Sequence, residues 1–137
     1  MSESPARHLN LTGASNFRDL GGYPGKDGRP IRWRQIFRSN HLGQLTDADI
    51  EVLRSFGLKS AFDFRGAEER ATAICCLSDI AVHSLAIEPT VVAALRARSA
   101  NGVTLSSTDA VEVMRDSYRR YVRSNTASFR TLFVHLL

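Results

Sequence analysis

At 137 residues, 43% apolar and 23% charged, the chain has the makings of one folded core and excludes a disordered or fibrous protein. It holds no apolar run long enough to cross a membrane, its start MSESPARHLN lacks the apolar stretch of a secretory signal, and its two cysteines, Cys75 and Cys76, are adjacent; together these point to a reducing, cytoplasmic setting without a disulfide framework. The net charge of +4 is unevenly spread, with basic blocks at 18–38 and 96–130 around an acidic middle, and 16 of the 18 basic residues are Arg, whose guanidinium fork suits phosphate or carboxylate.

Residues 1–14 are polar and aperiodic and read as a flexible leader, leaving 15–137 as one domain. From Ser15 to Ser39, short extended runs broken at Gly21-Gly22, Pro24-Gly25 and Asp27-Gly28 predict a small β-meander. Thr46 with Asp49 forms a capping-box pattern, Ile50, Leu53 and Phe56 share a helical stripe, and Gly57 supplies a stop, which predicts a helix over 47–56. Leu58 to Phe64 reads as a strand leading into a helix that starts near Glu68-Glu69. A further strand is expected over 81–85 and a helix over 89–100, with Pro89 in its first turn. Val111, Met114, Tyr118, Tyr121 and Val122 mark an amphipathic helix opened by Thr108 or Asp109, and Phe129, Leu132, Phe133 and Leu136 mark another, which runs to Leu137 without a stop signal. The whole is an α/β architecture, a sheet flanked by helices behind an N-terminal meander, with the look of an incomplete domain.

Three strings carry the chemistry. In Asn16-Phe17-Arg18-Asp19-Leu20-Gly21-Gly22-Tyr23 an Arg and an Asp stand between apolar residues ahead of paired glycines, so Arg18 and Asp19 are either a structural ion pair or part of a site. Phe37-Arg38-Ser39 ends one strand, and its Arg38 and Ser39 serve either as anion contacts or as the cap of the next loop. Phe62-Asp63-Phe64-Arg65 ends another. Ligands of open α/β sheets gather at strand carboxyl ends, where several arginines would make a phosphate pocket.

This ordered set, NFRDLGGY at 16–23, FRS at 37–39, LTDADIEVL at 45–53, FDFRGAEER at 62–70 and FRTLFVHLL at 129–137, resembles the bacterial and fungal tyrosine phosphatases that share the Asn-Phe-Arg-Asp-Leu-Gly-Gly signature. Phe64 replaces that family's usual Leu. The resemblance implies a cysteine-phosphatase-like fold and metal-free, cofactor-free hydrolysis of phosphomonoesters on a phosphorylated protein or phosphoinositide. It places the pocket at Arg18, Asp19, Arg38, Ser39, Asp63 and Arg65. It also implies a nucleophile in a His-Cys-x-x-Gly-Lys-Asp-Arg-Thr-Gly loop, and no such string occurs in these 137 residues. Cys75 and Cys76 do not substitute, because the residues six positions on are Ala81 and Val82 rather than Arg. The chain is therefore expected to be a truncated form, inactive alone.

The competing readings are a noncatalytic phosphate-binding remnant, a partner of a separate C-terminal half, and, ranked last, a basic nucleic-acid binder. Cys75 and Cys76 read as structural, and His83 and His135 lack metal-ligand spacing. Tyr118 and Tyr121 fall on an apolar stripe opposite arginines, which reads as core plus solvated face. An exposed apolar surface on an incomplete domain would drive self-association.

Overall fold

The computed structural model describes residues 5–88, 100 and 106–137, so the helix expected over 89–100 lies almost wholly outside the described residues. The fold is mixed α/β. Among the described residues the elements run β1 (Arg18–Asp19), β2 (Phe37–Arg38), α1 (Asp47–Ser55), β3 (Ser60–Asp63), α2 (Ala67–Thr72), β4 (Ala81–Ser84), α3 (Ser107–Ser124) and α4 (Thr126–Leu136). The chain divides into two compact units, Met1–Ala61 with Arg70–Val82, and Phe62–Glu69 with His83–Leu137.

In the first unit the expected meander is an antiparallel hairpin. Arg18 stands opposite Arg38 and Asp19 opposite Phe37, and the hairpin is continued by Leu20 N–H to Ile36 O at 2.8 Å and Gly22 N–H to Ile31 O at 2.8 Å. The glycine pair is required by close approach: a Cβ on Gly21 would lie 2.6 Å from the Trp33 Cα, and Gly22, at φ +77°, would place one 2.8 Å from the Trp33 ring.

The expectation of a flexible leader gives way over its described part. Leu9 N–H donates to Phe17 O at 3.0 Å and Asp19 N–H to Arg7 O at 2.8 Å, so residues 7–9 run beside β1. Leu11 and Ala14 are buried with Phe17, Leu53 and Leu77 in the core of this unit. Polar composition concealed this, because the segment's few apolar residues are the ones that pack.

Helix α1 starts as its sequence dictates, with a reciprocal capping box between Thr46 and Asp49. Asp49 does more than cap: its carboxylate also accepts the Thr12 N–H at 2.9 Å and the Gly13 N–H at 2.8 Å. Its acidity is raised accordingly, to a pKa of about 2, by the amides of Thr46 and Gly13 above all. Leu53 is buried on the inner face of α1, and Phe37 lies between Phe17 and Phe56 at centroid separations of 5.3 Å each. Cys75 packs against the same core, in keeping with a structural role, whereas Cys76 is exposed.

Strands β3 and β4 form a two-stranded sheet. Ala81 N–H donates to Lys59 O at 3.0 Å and Leu85 N–H to Asp63 O at 2.9 Å, so the bonds advance together and the strands run parallel. In the second unit α3 is capped by Ser106, not by Thr108 or Asp109; Asp109 is instead the third residue of the helix, closing a capping box with Ser106. The apolar stripe of α3 is present but is not a core, for none of its residues is buried. Among the described residues no helix is long and apolar enough to cross a membrane.

Candidate active-site elements

Strand alternation sorts the first string. Arg18 and Arg38 face each other across the hairpin on one side, and Asp19 and Phe37 lie on the other. Asp19 is completely buried. One carboxylate oxygen accepts the Gly21 N–H at 2.8 Å, the other accepts the Arg34 N–H at 2.9 Å, and the Arg34 guanidinium lies 3.8 Å away. The structural ion pair considered for Arg18 and Asp19 is thus made by Asp19 with Arg34, since neighbours along a strand point to opposite faces.

Arg18 is half-buried and donates to the Asn16 side chain. Arg38 is exposed, and among the described residues its side chain makes no hydrogen bond or ion pair. Two like charges directly opposite each other on a hairpin are unfavourable unless an anion or solvent screens them. Ser39 donates its hydroxyl to Asn40 Oδ1 at 3.2 Å. Arg7, which sequence reasoning passed over, donates to Asp19 O at 2.9 Å and lies over the Tyr23 and Trp33 rings at 4.0 and 5.1 Å. No local sequence signal marks that residue, because its partners lie 12 to 26 positions further along.

In the second unit, Asp63 and Arg65 form a two-pronged ion pair at the end of β3. Arg65 Nη2 stands 2.6 Å from Asp63 Oδ2, and Arg65 Nε and its backbone N–H donate to Asp63 Oδ1 at 2.9 and 3.0 Å. Their side chains retain only 15% and 19% of their accessibility, so the pair is geometrically fixed. Beside it Glu88 accepts the Ala67 N–H, the first of α2, at 3.1 Å. A Cβ at Gly66 would come within 2.6 Å of that carboxylate. This carboxylate at the head of α2 was not anticipated from sequence, since it arrives from 21 residues downstream. Glu68 and Glu69 are exposed first-turn residues, as expected.

His83 and His135, which lack metal-ligand spacing in sequence, are neighbours: their rings lie 4.5 Å apart, both against Phe62. Among the described residues no three His, Cys, Asp or Glu side chains are grouped to hold a metal ion. The arrangement thus offers one charged cross-strand pair on the hairpin and one braced strand-end Asp–Arg pair, each within its own unit.

The sequence pattern of the tyrosine phosphatase family matches residues 9–137. A Cupriavidus necator protein named as a tyrosine-protein phosphatase is 40% identical over 57 residues, which are 42% of this chain and 21% of that protein. The chain so matches only about a fifth of its relative's length. With the family pattern running through the hairpin, α1, the Asp63–Arg65 strand end and the closing helices, the chain belongs to the tyrosine phosphatase family.

Proposed function

We propose that the protein serves the hydrolysis of phosphomonoesters on a phosphorylated protein or phosphoinositide in the cytoplasm, as a cysteine-dependent phosphatase. Residues 15–137 are the N-terminal part of one phosphatase domain, with 7–14 packed onto it. The observation that carries this reading is the family match over residues 9–137. Arg18, Arg38 and Ser39 are the phosphate-pocket candidates of the first unit, where Asp19 fixes the turn behind them, and Asp63 and Arg65 are those of the second unit, where they brace the end of β3.

The nucleophile comes from a His-Cys-x-x-Gly-Lys-Asp-Arg-Thr-Gly loop that is not among these residues. Its thiolate attacks phosphorus, the alcohol or phenol departs, and water then cleaves the phosphocysteine. No metal or cofactor enters these steps. The 137-residue chain is accordingly inactive by itself.

The test is hydrolysis of p-nitrophenyl phosphate in the presence of EDTA by the 137-residue chain and its Cys75→Ser/Cys76→Ser variant, beside the same chain joined to a segment bearing the Cys loop. Turnover only in the joined protein supports the reading. Turnover by the short chain that the double substitution abolishes overturns it, because Cys75 or Cys76 would then be the nucleophile.

A further inference from the structure

His83 and His135 come from different elements, the third residue of β4 and the last turn of α4, and the fold sets their rings 4.5 Å apart with planes inclined at 59°. Phe62 of β3 holds both. Its ring stacks on His83 at 5.0 Å and 14°, and meets the His135 ring at 5.4 Å and 70°. Three side chains from three elements thus form one cluster inside the second unit.

Hydrogen bonding decides what each imidazole can offer. His135 Nδ1 lies 2.8 Å from the Thr131 carbonyl oxygen, one helical turn back. A carbonyl only accepts, so Nδ1 carries the proton and Nε2 of the neutral ring keeps its lone pair. A backbone carbonyl on the far nitrogen fixes the tautomer, orients the ring and raises its basicity, the usual arrangement for a histidine that ligates a metal. The His83 ring makes no hydrogen bond among the described residues, where its contacts are with the other two rings, so it also has a lone pair to give. His83 is half-buried and His135 exposed. An ion can therefore reach both from solvent, and water can complete its shell.

Spacing narrows the ion. A metal bound about 2.0 Å from an imidazole nitrogen lies about 3.2 Å from the ring centre. Two rings on one ion have centres about 4.5 Å apart when the bonds meet at a right angle, and about 5.2 Å apart at the tetrahedral angle. The observed 4.5 Å matches the right angle, which copper(II) and nickel(II) adopt in square-planar or tetragonal sites, better than the tetrahedral sites of zinc.

We propose that His83 and His135 together bind one divalent transition-metal ion, copper(II) or nickel(II), in neighbouring coordination positions, with water in the others. The ion ties the end of β4 at His83 to α4. It takes no part in the hydrolysis proposed above, so the site stands or falls apart from that reading.

Calorimetric titration with nickel(II) chloride tests it, using the 137-residue chain in a Cys75→Ser/Cys76→Ser background so that thiolates do not compete for the metal. One ion per chain should bind with a dissociation constant below about 100 μM. His83→Ala and His135→Ala should each weaken binding by about 30-fold or more, while His41→Gln, in the first unit, should leave it within about twofold. Copper(II) added one-to-one to the same background should show two imidazole ligands by pulsed electron paramagnetic resonance, and no more than one after either alanine substitution. Absence of saturable binding up to about 1 mM nickel overturns the proposal. So does binding that survives either alanine substitution, or a copper spectrum with a single imidazole. The copper spectrum counts ligands with both histidines in place, so the conclusion does not hang on whether His83→Ala folds.

Discussion

The Arg34 backbone N–H donates to the buried Asp19 carboxylate at 2.9 Å while Arg34 holds a left-handed backbone, φ 63°. A non-glycine residue in that region is strained, and the bond to Asp19 is what over-determines it. The second carboxylate oxygen holds the Gly21 N–H at 2.8 Å, so one side chain fixes both arms of the hairpin behind Arg18 and Arg38. Asp19→Ala leaves these two donors without their acceptor, each loss worth about 1–3 kcal/mol, and should lower the midpoint of urea denaturation without changing its slope. Arg34→Gly relieves the strain yet forfeits the guanidinium placed over Phe56 at 4.8 Å; it should be much the milder of the two. Equal losses would show that the Asp19 bonds contribute little.

Gly21→Ala should be harmful for a different reason. The new methyl would meet the Trp33 backbone and ring at 2.6 and 2.7 Å, and backbone cannot swing aside as a flexible side chain does. Forced overpacking of this kind costs about 1–3 kcal/mol. Trp33→Ala in the same background should recover part of the loss of Gly21→Ala, which thermal denaturation of the four proteins of the cycle would show.

Leu53→Ala probes the core of the first unit. Leu53 is 1% accessible and sits among Leu11, Phe17 and Leu77, so its truncation removes transfer energy and opens a cavity, together about 2–5 kcal/mol. Its neighbour Val52, 41% accessible, lies on the outer arc of α1, and Val52→Ala should change stability by less than about 0.5 kcal/mol. If the two substitutions were equivalent, the helix would not be docked as described.

What could be read from sequence was what neighbours in sequence decide. The capping box of Thr46 with Asp49, the stripe of Ile50 and Leu53 and the stop at Gly57 all lie within one short helix, and α1 was read nearly to the residue. Asp63 and Arg65, only two residues apart, stand out in the sequence as strand-end candidates, but not as each other's partner. Distant contacts were not. Residues 7–14 looked loose because their anchors, the bonds from Thr12 and Gly13 to Asp49, span 37 and 36 residues. Glu88 at the head of α2 and the meeting of His83 with His135 escaped notice for the same reason. The opposite facing of Arg18 and Asp19 was implicit in strand alternation, and the role of Arg34 as partner to Asp19 became visible only with the turn.

Stability should fall on acidification through a window set by Asp49. Its pKa in the folded chain is about 2, below the ordinary 3.8, because the amides of Thr46 and Gly13 stabilise the carboxylate. A depressed folded pKa means that the unfolded chain binds the proton first, so the contribution is complete above about pH 4 and is lost as pH falls toward 2. Asp79 is shifted the same way, chiefly by the hydrogen bond from Arg54, and adds to the same trend. The urea midpoint should therefore hold level from about pH 7 to 5 and then drop. Asp49→Asn should lower the level part and flatten the drop. A variant with the same acid profile as the parent would remove Asp49 from the account.

Arg65→Lys separates charge from geometry at the strand end. Lysine keeps the positive charge but has no planar fork, so it can replace only one of the contacts that Arg65 makes to the two oxygens of Asp63, at 2.9 and 2.6 Å. With both side chains mostly shielded from water, the lost charge-assisted bond should cost about 1–3 kcal/mol. The backbone bond from Arg65 N–H to Asp63, at 3.0 Å, does not depend on the side chain and should keep the turn into α2. The expected outcome in the short chain is thus a modest loss of stability with unchanged helix content. In the joined protein that carries the Cys loop, the same substitution should lower kcat/KM for p-nitrophenyl phosphate by more than the loss of folded protein explains, since Asp63 would no longer be held in one orientation. A fall in activity that merely tracks the folded fraction would assign the pair to structure alone.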